Sequence, residues 1–223
     1  MQKLSQNIFS FFSSLAKNNN RDWFLENKTH FKSLETEVKQ FGEKVKEALN
    51  RHDQIDRFKL FRIYRDVRFS KDKTPYKTHF GLTWHRIKPH YRGGYYLHLS
   101  PKDCFLACGF WDPNPADLKR IREELAIDAQ EFRDLIAAPD FASVWGKLEG
   151  SELKTAPRDF DKTHPDIDLI RKKQFLFVKP FDEKTVCSPD FLQQVDAALQ
   201  AVRPFVDYMS EVLTTNADGE RLV

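Results

Sequence analysis

Hydrophobic residues in this chain repeat with one period up to residue 49 and with another from residue 59 onward, and that switch limits the folds open to it. Trp23, Phe31, Leu34, Val38, Phe41, Val45 and Leu49 recur at spacings of helical turns, and Asn18, Asn19 and Asn20 just before them offer capping side chains. This predicts a long amphipathic helix over residues 21–50, about 45 Å at roughly 1.5 Å per residue, with Gly42 as a point at which it could break. Leu4, Ile8, Phe11, Phe12 and Leu15 share the helical spacing, and the Ser and Asn residues between them rule out a signal-peptide core. The period then becomes two. From Lys59 to Phe69, the apolar Phe61, Ile63, Val67 and Phe69 alternate with Arg62, Asp66 and Arg68, the pattern of a half-buried strand. Arg65 falls on the apolar side. It requires either a bulge that re-aims it or a carboxylate that meets it in a partly buried place, because an unpaired buried Arg is too costly.

Residues 70–75 read as a turn, and further strands are predicted over 82–88, 94–100, 104–111 and 174–180. Tyr95, Leu97 and Leu99 alternate with Tyr96, His98 and Ser100, and the short connection 101–103 favours an antiparallel hairpin. Helix starts are marked at Asn114-Pro115, His164-Pro165 and Ser188-Pro189, each followed by an acid at Asp117, Asp166 or Asp190. A last apolar stripe, Phe191, Leu192, Val195, Leu199 and Val202, runs into Pro204, which kinks or restarts the helix. The expected class is α+β, a central, mainly antiparallel sheet flanked by long N-terminal and C-terminal helices. The eight Gly and eleven Pro are scattered, so nothing marks a linker, and one domain over residues 1–223 is expected.

No apolar run is long enough to span a bilayer, so no membrane partner is expected. Three cysteines, Cys104, Cys108 and Cys187, with no export signal point to reduced thiols in the cytoplasm. Cys104 and Cys108 lack a second pair, so buried packing suits them better than zinc. Charge is concentrated. Residues 57–92 hold eleven Lys or Arg against Asp66 and Asp72, a net of +9 in a chain that totals +3, so the remainder carries −6. Such a segment attracts anions.

The run from Phe61 to His79, together with residues 18–24, 94–100, 108–111 and 157–161, resembles a bacterial family, the domain of unknown function 2461. The resemblance covers nearly the whole chain. It implies kinship and chain length and assigns no catalytic residue.

From the residues themselves, Arg62, Arg65, Arg68, Lys71, Lys73 and Lys77 form the candidate ligand-binding set, since Arg forks suit carboxylate or phosphate and Lys adds point charge. Arg158 belongs to a second, weaker polar cluster with His164. Asp66, Tyr76, His79 and His98 are the candidates for proton transfer or orientation, His98 being expected to share a sheet face with Arg62 and Asp66. The competing reading is that the cations pair with Asp66, Asp72 and other acids to hold the turn in place. Ser70 and Lys73 match a Ser-x-x-Lys spacing, but a strand is expected before it, Pro75 follows it, and the partner motifs of the serine enzymes are missing. Neither a Gly-x-Gly-x-x-Gly nor a Walker pattern appears, so no nucleotide cofactor is expected. Four histidines within twenty residues do not fall at metal-ligand spacing, so no metal is expected. The expected partner is an anionic small molecule. The alternative is an acidic protein partner or single-stranded nucleic acid, the latter because Phe61, Tyr64, Phe69, Tyr76 and Tyr96 interleave with the cations.

Overall fold

A computed structural model describes residues 3–216 and 219–222. The chain opens with α1 (Asn7–Lys17) and α2 (Arg21–Leu49). Asn20 caps α2, its side chain accepting from the Trp23 N–H at 3.0 Å, and the helix runs unbroken through Gly42. The strands β1 (Ile55–Leu60), β2 (Phe80–Arg86), β3 (Gly94–Leu99) and β4 (Cys104–Phe110) follow as an antiparallel meander. Helices α3 (Pro115–Ile127), α4 (Gln130–Ala137), α5 (Pro139–Trp145) and α6 (Ile167–Ile170) then intervene. Strand β5 (Phe175–Phe181) returns beside β4, completing the sheet order β1-β2-β3-β4-β5, and α7 (Glu183–Val186), α8 (Phe191–Ala201) and α9 (Arg203–Thr214) close the chain. All strand pairs are antiparallel, as expected for an α+β protein. No helix is long and apolar enough to cross a membrane among the described residues.

One face of the sheet takes the helices. Phe58, Trp84, Tyr95, Cys108 and Phe177 stand in register across the five strands. Trp84 donates its indole N–H to the Gly42 carbonyl at 2.9 Å, and Phe177 meets Phe141 and Phe205 edge-on. Gly42 is required by this approach, because a Cβ there would lie 2.1 Å from Phe58 Cζ. Phe191, Val195, Leu199 and Val202 of the stripe are buried and Leu192 partly so, and Pro204 restarts the helix as α9. Of the three expected start signals, Asn114 caps α3 with its side chain, accepting from the Asp117 N–H, and His164 Nδ1 accepts from the Asp166 N–H just before α6. Asp166 and Asp190 occupy the N-cap positions of α6 and α8 without capping bonds.

The strand expected over residues 59–69 is corrected: β1 spans Ile55–Leu60 and ends there. Phe61 still donates to the Gly81 carbonyl, and two bonds, Lys77 N to Ile63 O and Arg65 N to Pro75 O, hold an isolated bridge between Tyr64 and Tyr76. Pro75 has no N–H to extend the ladder, and the lysines take carbonyls of the loop instead. Residues 61–79 thus form a long excursion of the β1–β2 hairpin. Asn19 fastens it to the start of α2, donating to the Tyr76 carbonyl at 2.9 Å and accepting from its N–H at 3.1 Å.

A charged network lies within the core. Arg86, wholly buried, bonds Asp53, the carbonyls of Val206 and Arg92, the Ser210 hydroxyl and Asp207. Asp53, also wholly buried, is met as well by Arg203 at 2.7 Å and by the Tyr95 hydroxyl at 2.5 Å. Replacing Asp53 by Ala leaves buried guanidinium groups short of a partner, and denaturant unfolding should show a loss of about 3–5 kcal/mol. Gly42→Ala should lose about 1–3 kcal/mol in the same measurement, because overpacking against Phe58 outweighs the roughly 1 kcal/mol that Ala gains as a helix former.

Candidate anion site on the open sheet face

The residues that alternate with the core-facing set point to the other side of the sheet. Lys59 on β1 pairs with Thr83, Thr83 with Tyr96, and Tyr96 with Ala107; Gly81 pairs with His98 and His98 with Phe105. Tyr96, His98 and Phe105 are partly exposed there, whereas Tyr95, Leu97 and Leu99 are buried. Loop 61–79 reaches this face through Phe61 and His79, whose rings approach Tyr96 and His98 at 6.3 and 4.2 Å between centroids.

His98 is the centre of the cluster. Its Nδ1 lies 3.0 Å from the Tyr96 hydroxyl and its Nε2 lies 3.6 Å from Asp103. Asp103 beside Nε2 favours the proton there, leaving Nδ1 to accept from Tyr96. Phe105 stacks on the imidazole, the rings 4.8 Å apart and 5° from parallel. Burial lowers the pKa of His98, and burial followed by the neighbouring His98 and Lys77 lowers that of His79 to about 4. At neutral pH, His79 is therefore a neutral imidazole and a proton acceptor. Burial raises the Tyr96 phenol to about 12, so it remains a donor.

Beside the rings stand three cations. The ammonium groups of Lys59 and Lys77 lie 5.2 and 5.5 Å from the Phe61 ring centroid, and Lys77 donates to the Arg62 carbonyl at 3.0 Å. Burial, then repulsion from Arg62 and Lys59, lowers the Lys77 pKa. Among the described residues, none of the three has a carboxylate within ion-pair distance.

The other expected site residues are distributed differently. Arg65 is half-buried and bonds Asp72 at 2.5 Å and the Thr74 carbonyl and hydroxyl, so a carboxylate meets it and no bulge re-aims it. Asp72 is held at about 2 by the Thr74 N–H, by Arg65 and by the Thr74 hydroxyl. Arg68 and Asp66 pair with each other in solvent, at 2.7 and 2.9 Å, and Arg68 lowers the Asp66 pKa. Asp66 and Arg62 lie on the loop, so the expectation that they share a strand face with His98 is corrected. Lys73 donates to the Val67 carbonyl at 2.9 Å, while Lys71 is exposed. Tyr76 is buried and stacks on Phe24, centroids 4.1 Å apart, away from the His79 and His98 pair. Arg158 is exposed on another segment, next to a cleft of about 630 Å³ lined by Asp159, Phe160, Asp161 and His164 among others. His164 is engaged there by the Ala126 carbonyl and the Asp166 N–H.

Sequence reasoning did not place Lys59 or Phe105 in the site, and it offered Tyr96 only as one ring among several. The alternation within each strand was readable, but strand register, which brings 59, 96, 98 and 105 onto one patch, was not.

The fold and this patch define a class: an α+β protein whose antiparallel sheet carries helices on one face and a ring and cation cluster on the other. The chain belongs to the conserved hypothetical protein family DUF2461, whose family model matches residues 7–208. No curated protein and no solved structure matches it.

The histidines make stability depend on pH with a definite sign. Unfolded His79 takes a proton near 6.5 and folded His79 only near 4, so the unfolded state binds more protons between these values. Stability is full above about 6.5 and is lost as the pH falls toward 4; Asp72 titrates only below this window. The Tm measured across this range should fall on acidification, and His79→Phe should make the fall shallower.

Proposed function

We propose that this protein binds an anionic ligand, best matched by a phosphoryl group, where loop 61–79 meets the open sheet face. Lys59, Arg62 and Lys77 supply the charge. His79, His98 and Tyr96 stand beside them as proton acceptor and donor. The observation that carries this reading is the crowding of Lys59, Arg62 and Lys77 with no carboxylate in ion-pair contact among the described residues; Asp66, which feels Arg62, is paired with Arg68, and Asp72 with Arg65. Lys77 is partly buried beside the exposed Lys59 and Arg62; these like charges repel, and an arriving anion relieves that cost. Arg65 and Lys73 then serve as supports that shape the loop, and Arg62 and Lys77 as the groups that meet the ligand.

Tripolyphosphate should raise the Tm and shift the His79 and His98 imidazole resonances in NMR spectra. Arg62→Ala and Lys77→Met should each weaken the response by about tenfold or more, the worth of a charge-assisted hydrogen bond. Arg158→Ala should leave it unchanged. The absence of any response to phosphate, tripolyphosphate and nucleotides would overturn the reading.

A further inference from the structure

The cation cluster adjoins a continuous patch of rings on the open sheet face. Tyr96 lies 6.0 Å from Phe105 and 6.1 Å from His98, and His98 stacks on Phe105. Their cross-strand neighbours Gly81, Thr83 and Ala107 are small. At Gly81 a Cβ would stand 2.8 Å from the Tyr96 hydroxyl and 3.2 Å from Phe61 Cδ2. Glycine thus leaves room for Tyr96 and Phe61 to lean over this strand.

Concave surface, the usual mark of a small-molecule site, is found elsewhere and is itself wide open. Two clefts, of about 630 and 570 Å³, lie against α3 and α7, away from Lys59, Arg62 and Lys77, and the first is edged by the acids Glu123, Asp159 and Asp161. An antiparallel sheet face that offers partly exposed rings beside cations suits a flexible polyanion with flat, apolar substituents. Phosphates follow the cations and bases stack on the rings, a mode that needs neither a cavity nor a glycine-rich loop.

We infer that the ligand is a single-stranded nucleic acid, with its phosphates on Lys59, Arg62 and Lys77 and its bases on Tyr96 and Phe105, which His98, packed between Phe105 and His79, holds in place. This rests on the anion reading above and adds the stacking half of the site. Asp103, the carboxylate at His98 Nε2, is 61% exposed and lies in the β3–β4 turn, past the last paired residues of the hairpin. Phosphates tracking along β1 and the loop run on the side of Lys59 and Lys77.

The test is fluorescence anisotropy with the full chain and oligonucleotides of roughly ten residues, within the size range that such sheets cover. One probe is oligothymidylate, one oligouridylate, and one an abasic strand of equal length, with tripolyphosphate followed separately by calorimetry. Both base-bearing strands should bind more tightly than the abasic one, with a log–log salt slope of roughly −2, about 0.7 for each of three phosphates on a single strand. Tyr96→Ala with Phe105→Ala should weaken base-bearing strands by about tenfold or more and leave tripolyphosphate unchanged. Tyr96→Phe, which keeps the ring, should retain the preference and guards against a folding defect in the alanine variant. Equal binding of abasic and base-bearing strands would overturn the stacking inference while leaving the anion reading standing. So would tripolyphosphate binding without strand binding. If neither tripolyphosphate nor any strand binds, both readings fall together.

Discussion

Asp53 and Arg86 form a wholly buried ion pair on which the arrangement of this molecule turns. Asp53 belongs to the turn between α2 and β1, Arg86 ends β2, Tyr95 begins the core side of β3, and Arg203 and Asp207 lie on α9. A pair of this kind carries a large desolvation cost, and it persists because the remaining donors and acceptors are met: Arg86 also bonds two carbonyls and the Ser210 hydroxyl. Four elements are tied to one point. Burial also pushes the Tyr95 phenol well above its ordinary pKa, so it stays a donor to Asp53.

That point decides which way the strands face. Arg86 and Tyr95 must point inward to reach Asp53, and in a strand the neighbours of an inward residue point outward. A slip of one residue would turn the imidazole of His98 into the core and leave Asp53 and Arg86 unpaired. The buried network thereby positions, from the far side of the sheet, the open face on which Tyr96, His98 and Phe105 meet the loop. The loop is fixed independently, by Asn19 at the start of α2 and by Arg65, which ties Asp72 and Thr74 to the chain before them.

The two conspicuous arginines invite different readings from alternation, and the outcome teaches how far alternation reaches. Arg65 breaks the pattern of an expected strand, yet that strand ends at Leu60, and Arg65 is only half-buried in its own loop. Phe69, read as an inward strand position, is 96% exposed. Arg86 shares the phase of Leu82 and Trp84 within a strand that does form, and it is the arginine that is buried. Alternation reports burial only where a partner strand continues. Beside residues 61–69 the partner segment holds Pro75 and turns away after Tyr76.

What the sequence by itself determined here is local. The long helix after three asparagines, strands β2 to β5, the restart at Pro204, the α+β class and the concentration of cations in one segment all follow from period, capping and composition, which act over a few residues. Tertiary structure alone decided which cations are neutralised and which are not. Arg65 and Arg68 find Asp72 and Asp66 within seven residues, whereas Lys59 and Lys77 are gathered at one Phe61 ring, with Arg62 near Lys77, by the closing of a hairpin. It also joined Tyr96 and His98 to Phe105 across a strand boundary, and Asp53 to Arg86 and Arg203 across the core. Those pairings depend on register and on contacts far apart in the chain, where the energy of a charge is set by what surrounds it and not by its neighbours in sequence.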